Sequence, residues 1–312
     1  MTPGRSCPLA YRYSPRVFDR EPDFAADTLY VVGGLYGNFP ALEAIERLAE
    51  SEPDPPAIMF NGDFHWFDID AAGFSAVQHG VLRHRALRGN VETEIAGEDG
   101  GAGCGCAYPD SVDAAEVERS NEILRRLRGT AAGLPAQRAA LGALPMHAVA
   151  QVGPARVGIV HGDAESLAGW AFAHDALDTP ARAPALGALF AAANVDLFAS
   201  SHTCLPALRD FELGGRHRVI ANNGAAGMPN FRSALHGLIT RIGVRPFRGG
   251  ALYGTRAGGV HTEALAVHYD IARFRSDFLA NWPAGSPGHE SYFPRISGGP
   301  EFVQASARAA AR

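Results

Sequence analysis

Thr28-Leu29-Tyr30-Val31-Val32-Gly33-Gly34-Leu35-Tyr36-Gly37-Asn38 runs directly into Phe39-Pro40-Ala41-Leu42-Glu43-Ala44-Ile45-Glu46-Arg47-Leu48, and this stretch decides the fold class. Residues 28–32 are a short apolar run with β-branched members, closed by glycines, which is the pattern of a buried strand. Beyond the glycines, Leu42, Ile45 and Leu48 recur at helical spacing, and Asn38 stands in the N-cap position. The unit then repeats. Residues 57–60 read as a strand ending at Asn61-Gly62, 69–82 as a helix, and 86–88 as a strand running into Gly89-Asn90. Such alternation predicts a layered α/β architecture. In sheets of this kind ligands collect outside the carboxyl ends of the strands, where these glycine loops lie.

The pattern changes at 95–112. This segment is Gly-rich, holds Gly103-Cys104-Gly105-Cys106 and then Tyr108-Pro109-Asp110, and reads as an irregular insertion. Helices are predicted over 114–127, 136–141 and 185–193. Strands are predicted over 146–152, 156–160, 195–199, 207–213, 217–221 and 238–244. Residues 281–300 are rich in Gly, Pro and Ser with three aromatics, and read as a structured loop or cover. No internal repeat or linker stands out. The expected organisation is a lead-in over 1–27, one domain over 28–280 and a C-terminal loop or tail over 281–312.

Composition narrows the function classes. The chain has 312 residues, 46% hydrophobic and 20% charged, enough for a sizeable core. A formal charge of −5 and the lack of a basic run give no reason to expect a nucleic-acid partner. No apolar run approaches the ~20 residues of a membrane helix. Residues 1–27 lack the apolar core of a signal peptide, and four cysteines without one do not make a disulfide framework. A cytoplasmic protein is expected.

Five segments carry chemistry, in order: Gly33-Gly34-Leu35-Tyr36-Gly37-Asn38, Asn61-Gly62-Asp63, Gly89-Asn90-Val91-Glu92, Val160-His161-Gly162-Asp163 and Ser201-His202-Thr203-Cys204. Together they resemble the metal-binding loops of the calcineurin-like metallophosphoesterases, whose pattern is Asp-x-His-Gly-Asn, Gly-Asp-x-x-Asp, Gly-Asn-His, His-Gly and Gly-His-x-His. Val219-Ile220-Ala221-Asn222-Asn223-Gly224-Ala225-Ala226-Gly227-Met228-Pro229 is similar to a sixth family segment, so the resemblance spans 28–229. It implies a four-layered α/β/β/α sandwich and two adjacent metal positions. One ligand set is complete here: Asp63, Asn90, His161 and His202. The other has lost three of its four residues, to Gly34, Tyr36 and Cys204. All three departures fall on one metal position. The resemblance is strongest to the small prokaryotic phosphodiesterase branch.

The retained set of carboxylate, amide oxygen and two imidazoles suits Mn, Fe, Zn or Co, and one ion is expected rather than two. In the family a metal-bound water attacks phosphorus, so the expected substrate is a phosphodiester or a small phosphorylated metabolite. A homo-oligomer is compatible with the sequence. No catalytic acid is evident, because Val91 replaces the family's histidine. His65 and Glu92 are the candidates, with a strand-end role for His65 and a surface position for Glu92 as the plainer readings. Cys204 is either a small buried thiol or, with Tyr36, Cys104 and Cys106, part of a rebuilt second metal position. Cys104 and Cys106 stand too close in sequence for an easy mutual disulfide. The residues around Tyr292 and Arg295 either cap the site or hold an acidic substrate, or else seal an edge of the fold or form a dimer contact. Three functions therefore stay open: a one-ion phosphoesterase, a silent binding member, or a metalloenzyme turned to other chemistry through Cys204 and Tyr36.

Overall fold

A computed structural model describes residues 2–98, 100–179 and 182–308, so the last four residues of the expected tail lie outside it. The opening strand shows how the layers arise. In β2 (Thr28–Val32), paired with β1 (Phe24–Ala26) of the other sheet only by adjacency in the chain, Leu29 and Val31 point one way and Tyr30 and Val32 the other. Both faces are apolar, so both must be covered.

β2 belongs to a six-stranded sheet with β3 (Ala57–Asn61), β4 (Arg85–Leu87), β10 (Gly237–Gly243), β11 (Tyr253–Ala257) and β12 (Val260–Val267). Its strand order is β11-β12-β10-β2-β3-β4. The second sheet joins β1 to β5 (His147–Val152), β6 (Ala155–Val160), β7 (Leu197–Ser200), β8 (Ala207–Leu213) and β9 (Arg216–Asn222), in the order β1-β5-β6-β7-β9-β8. Leu29, Val31 and Met59 from one sheet meet Val157, Ile159 and Leu197 from the other in a buried layer between the two.

Tyr30, Val32 and Phe60 turn outward and are covered by helices α1 (Phe39–Glu50), α2 (Ala71–Val81), α3 (Asn90–Ala96), α4 (Ala114–Ala132) and α5 (Pro135–Gly142). On the far face Val149, Val160 and Phe198 pack under α6 (His174–Leu177) and α7 (Ala183–Ala193), joined by Phe18 of the lead-in. The result is the expected α/β/β/α sandwich. No helix among the described residues is long and apolar enough to cross a membrane.

Three departures from the sequence reading matter. The segment 281–300 is not a loop: it follows α8 (Ile271–Asn281) and forms α9 (Pro287–Gly298), with α10 (Gln304–Ala307) beyond it. Ser286 caps α9 by accepting from His289 N, and Pro287 occupies a position where its missing N–H costs nothing. Trp282, fully buried, donates to the Phe67 carbonyl at 2.9 Å and ties the turn before α9 to the core. Second, Asn90 begins α3, which takes in the first two residues of the segment read as an insertion. Third, β11 and β12 were not legible.

Two parallel trios position the chemistry: β2, β3 and β4 in one sheet, and β6, β7 and β9 in the other. The loops at their carboxyl ends converge.

Candidate metal centre

Each of the four expected ligands sits one to three residues beyond a strand end. Asp63 follows β3, Asn90 follows β4, His161 follows β6 and His202 follows β7. The turns are tight. Gly62 has φ of +98°, and a Cβ there would lie 2.6 Å from both the Gly89 backbone and the His161 ring. Asp63, His202, Tyr36 and Cys204 themselves adopt left-handed backbone, with φ of 52°, 51°, 56° and 60°. Each such non-glycine residue costs on the order of 1–2 kcal/mol. That strain is gathered around one spot.

His161 Nε2 is the centre of that spot. It lies 3.2 Å from Asp63 Oδ2, 3.0 Å from Asn90 Oδ1 and 3.1 Å from His202 Nδ1. Ligand atoms about 2.1 Å from one ion, at right angles, stand about 3.0 Å apart. The outer contacts fix what each atom can do. His161 Nδ1 faces the Asn61 carbonyl at 2.9 Å, and His202 Nε2 faces the Cys106 carbonyl at 3.0 Å. A carbonyl only accepts, so both protons sit on the outer nitrogens and both inner nitrogens present lone pairs. Asn90 Nδ2 donates to the Cys104 carbonyl, which turns Asn90 Oδ1 inward. Asp63 Oδ1 accepts from Val91 N, leaving Oδ2 to the centre. Four acceptor atoms thus face one another with no donor among them. One proton relieves part of this. Burial works against charge on His161, but Asp63 beside it raises its pKa above the ordinary value, and His161 lowers Asp63 in turn. Burial first, then the His161 charge, lowers His202 to about 3. A divalent ion would satisfy all four atoms, so these residues fit a metal.

The other position is closed. Gly34 has φ of +65°, and a Cβ there would meet the Tyr36 ring at 2.7 Å. Tyr36 OH and Cys204 Sγ are hydrogen-bonded to each other at 2.9 Å. Burial pushes both the phenol and the thiol upward, which keeps them protonated. Cys104 and Cys106 form a disulfide, contrary to the sequence reading, so neither offers a thiolate. Left-handed backbone at Gly105, between the two cysteines, accompanies a Cα separation of 5.3 Å, within disulfide range. The insertion does reach the site, through the Cys104 and Cys106 carbonyls and through Tyr108 in the pocket wall. Cys106 O also accepts from Trp170 Nε1 at 3.0 Å.

Neither acid candidate faces the pocket. Glu92 is not on the surface but fully buried. Its Oε2 accepts from Asp63 N and Gly89 N, both at 2.8 Å, and its Oε1 from Phe64 N at 3.0 Å and His65 N at 3.2 Å. It staples the Asp63 loop to the start of α3. His65 stacks on Phe74 with centroids 3.8 Å apart and pairs through Nδ1 with Asp68 at 2.6 Å. Asp163 holds its own turn, accepting from Glu165 N, Ser166 N and Ala171 N.

A cavity of about 240 Å³ opens over Asp63, Asn90 and His202. Its walls are largely aromatic: Tyr36, Trp66, Tyr108, Trp170 and Tyr292, with Cys204, Glu116 and Arg295 among them. Tyr292 and Arg295 come from α9, so the C-terminal segment supplies part of the mouth. A larger cleft of about 540 Å³ lies between α2 and α8 and contains none of the four inner ligands.

No protein-family model and no curated protein matches the sequence. Among solved structures, the chain is similar to a metallophosphoesterase from Sphaerobacter thermophilus, with 16% identity, a TM-score of 0.54, and coverage of 88% of this chain and 100% of that one. It is also similar to a hypothetical protein from Pyrococcus horikoshii OT3, with 15% identity, a TM-score of 0.57, and coverage of 88% and 99%. Both likenesses span nearly the whole chain and are likenesses of fold.

Proposed function

We propose that this protein, which has the fold of the metallophosphoesterases, hydrolyses phosphate esters with one firmly held divalent ion bound by Asp63, Asn90, His161 and His202. The observation that carries the reading is the convergence of four acceptor atoms around His161 Nε2 with no donor between them. A bound ion would act there as a Lewis acid and lower the pKa of water. The chain does the rest. The Asn61 and Cys106 carbonyls hold the two imidazoles in the ligating tautomer. Glu92 and Val91 N fix Asp63, and the aromatic walls limit water around the reacting centre. Mn, Fe, Zn and Co all suit this mixed donor set. One ion rather than two is supported by the Tyr36–Cys204 pair and by Gly34.

The pocket favours a phosphodiester over a more highly charged ester. It is small and mostly apolar, and Arg295 is the one guanidinium in its lining, Glu116 being already paired with Arg119. A diester carries one negative charge and an apolar arm suits the walls. A second reading rests on Val91, which offers no proton at the pocket wall: a silent member that binds but does not turn over. Elemental analysis of the chain purified without added metal or chelator, followed by hydrolysis of bis(4-nitrophenyl) phosphate and 4-nitrophenyl phosphate, separates them. The expected result is one ion per chain and faster diester hydrolysis, both lost in His161→Ala. Two ions per chain refute the one-ion site. No ion bound or taken up on titration refutes the enzyme and leaves the binding reading. An ion without turnover of either ester favours the silent member.

A further inference from the structure

Arg295 enters the pocket from the last turn of α9, beside Cys204. Its Nη2 donates to the Cys204 carbonyl at 2.7 Å and its Nε to the Pro229 carbonyl at 2.9 Å. These two bonds hold the guanidinium plane in place while leaving Nη1 without a protein acceptor. No carboxylate among the described residues pairs with it, in contrast to Arg241, which is clamped between Glu52 and Glu263. A half-buried cation, held by backbone carbonyls and lacking a counter-ion, is an arrangement waiting for an anion.

We propose that Arg295 is the anion-binding residue of this pocket. Its guanidinium supplies, beside Tyr36 and Cys204, the positive charge that a second ion would otherwise bring, and it takes the phosphate group of a singly charged phosphodiester. The inference deepens the one-ion phosphoesterase reading and rests on it for the site's location. Guanidinium is charged at every working pH, so anion binding through it does not fade on the alkaline side.

The test is calorimetric titration of the full chain, loaded with one equivalent of Mn, with inorganic phosphate and with dimethyl phosphate. Wild type, Arg295→Met, Arg295→Gln and Arg295→Lys are compared, and metal content is measured on each. Losing a charge-assisted contact should weaken both anions on the order of 10- to 100-fold in Met and Gln. The ion per chain should not change, and Lys should recover most of the loss. Arg295→Gln guards against a Met variant that fails to fold, since Gln keeps a donor near the two carbonyls. Three outcomes overturn the proposal: neutral variants that bind both anions like wild type, neutral variants that lose the ion as well, or a wild type that binds neither anion at about 10 mM. Hydrolysis of bis(4-nitrophenyl) phosphate in the same preparations is independent. A wild type that binds phosphate through Arg295 but cleaves no ester refutes the enzyme while the anion site stands.

Discussion

Glu92→Gln exchanges one oxygen for an NH2 group in a side chain that looks peripheral to the chemistry. The carboxylate accepts four backbone N–H groups, two on each oxygen, at 2.8–3.2 Å. In glutamine one of those oxygens becomes a donor, so two buried N–H groups face an NH2 and have no acceptor. Either orientation of the amide strands two of them. Each unsatisfied buried donor costs about 1–3 kcal/mol, which gives roughly 2–6 kcal/mol, centred near 4. Unfolding entropy of about 2.1 cal/mol/K per residue over 312 residues is about 0.65 kcal/mol/K. A loss near 4 kcal/mol therefore lowers the melting temperature by about 6 °C.

The location of the stranded donors adds a second consequence. Asp63 N and Gly89 N flank two of the metal ligands, and the Asp63 backbone is already left-handed. Loosening that staple should weaken metal binding although Glu92 touches no ion. Differential scanning calorimetry of the metal-free chain measures the first effect, and metal titration the second. A melting temperature within about 1 °C of wild type would refute the counting of donors. Unchanged metal affinity alongside the expected stability loss would refute the view that Glu92 holds Asp63 in place.

Other perturbations follow from the closed half of the site. Gly34→Asp alone should destabilise the chain, because φ is +65° and the new Cβ meets the Tyr36 ring at 2.7 Å, and it should bind no second ion. Gly34→Asp combined with Tyr36→His and Cys204→His removes the ring and the thiol together, and elemental analysis should then find two ions per chain; one ion would show that more than the ligands has been lost. Away from the site, Arg241→Met strands Glu52 and Glu263, both largely buried, and should cost about 3–5 kcal/mol in urea unfolding.

What the sequence made legible was local. The strand at residues 28–32, the helix capped by Asn38 and the four ligand loops each announce themselves within a few residues, because strand alternation, N-caps and glycine turns are short-range physics. What was missed depends on distant partners or on small residues. In β12 the inward positions include Thr262 and Ala264, too polar or too small to mark a buried face. In α9, Pro287 and Pro294 read as breakers, although the first sits at the helix start and the second is tolerated inside. Glu92 had a readable signal that was passed over: it stands three residues after Gly89, the spacing of a capping box. Arg295 stands out in sequence only as a basic residue among aromatic and small ones, and its contact with Cys204, 91 residues away, is not disclosed by that. The Cys104–Cys106 pairing depends on left-handed turns that spacing alone does not disclose.

Gly34, Tyr36 and Cys204 depend on one another. Tyr36 can lie where it does only because Gly34 has no Cβ in its path. The Tyr36 hydroxyl is satisfied only because Cys204 brings a sulfur to 2.9 Å. Cys204 in turn is held by the Arg295 guanidinium on its carbonyl, which ties α9 to the same corner. Replacing any one member leaves a clash or an unpaired buried group. On the one-ion reading proposed above, this corner holds one fixed cation where a second ion would otherwise stand.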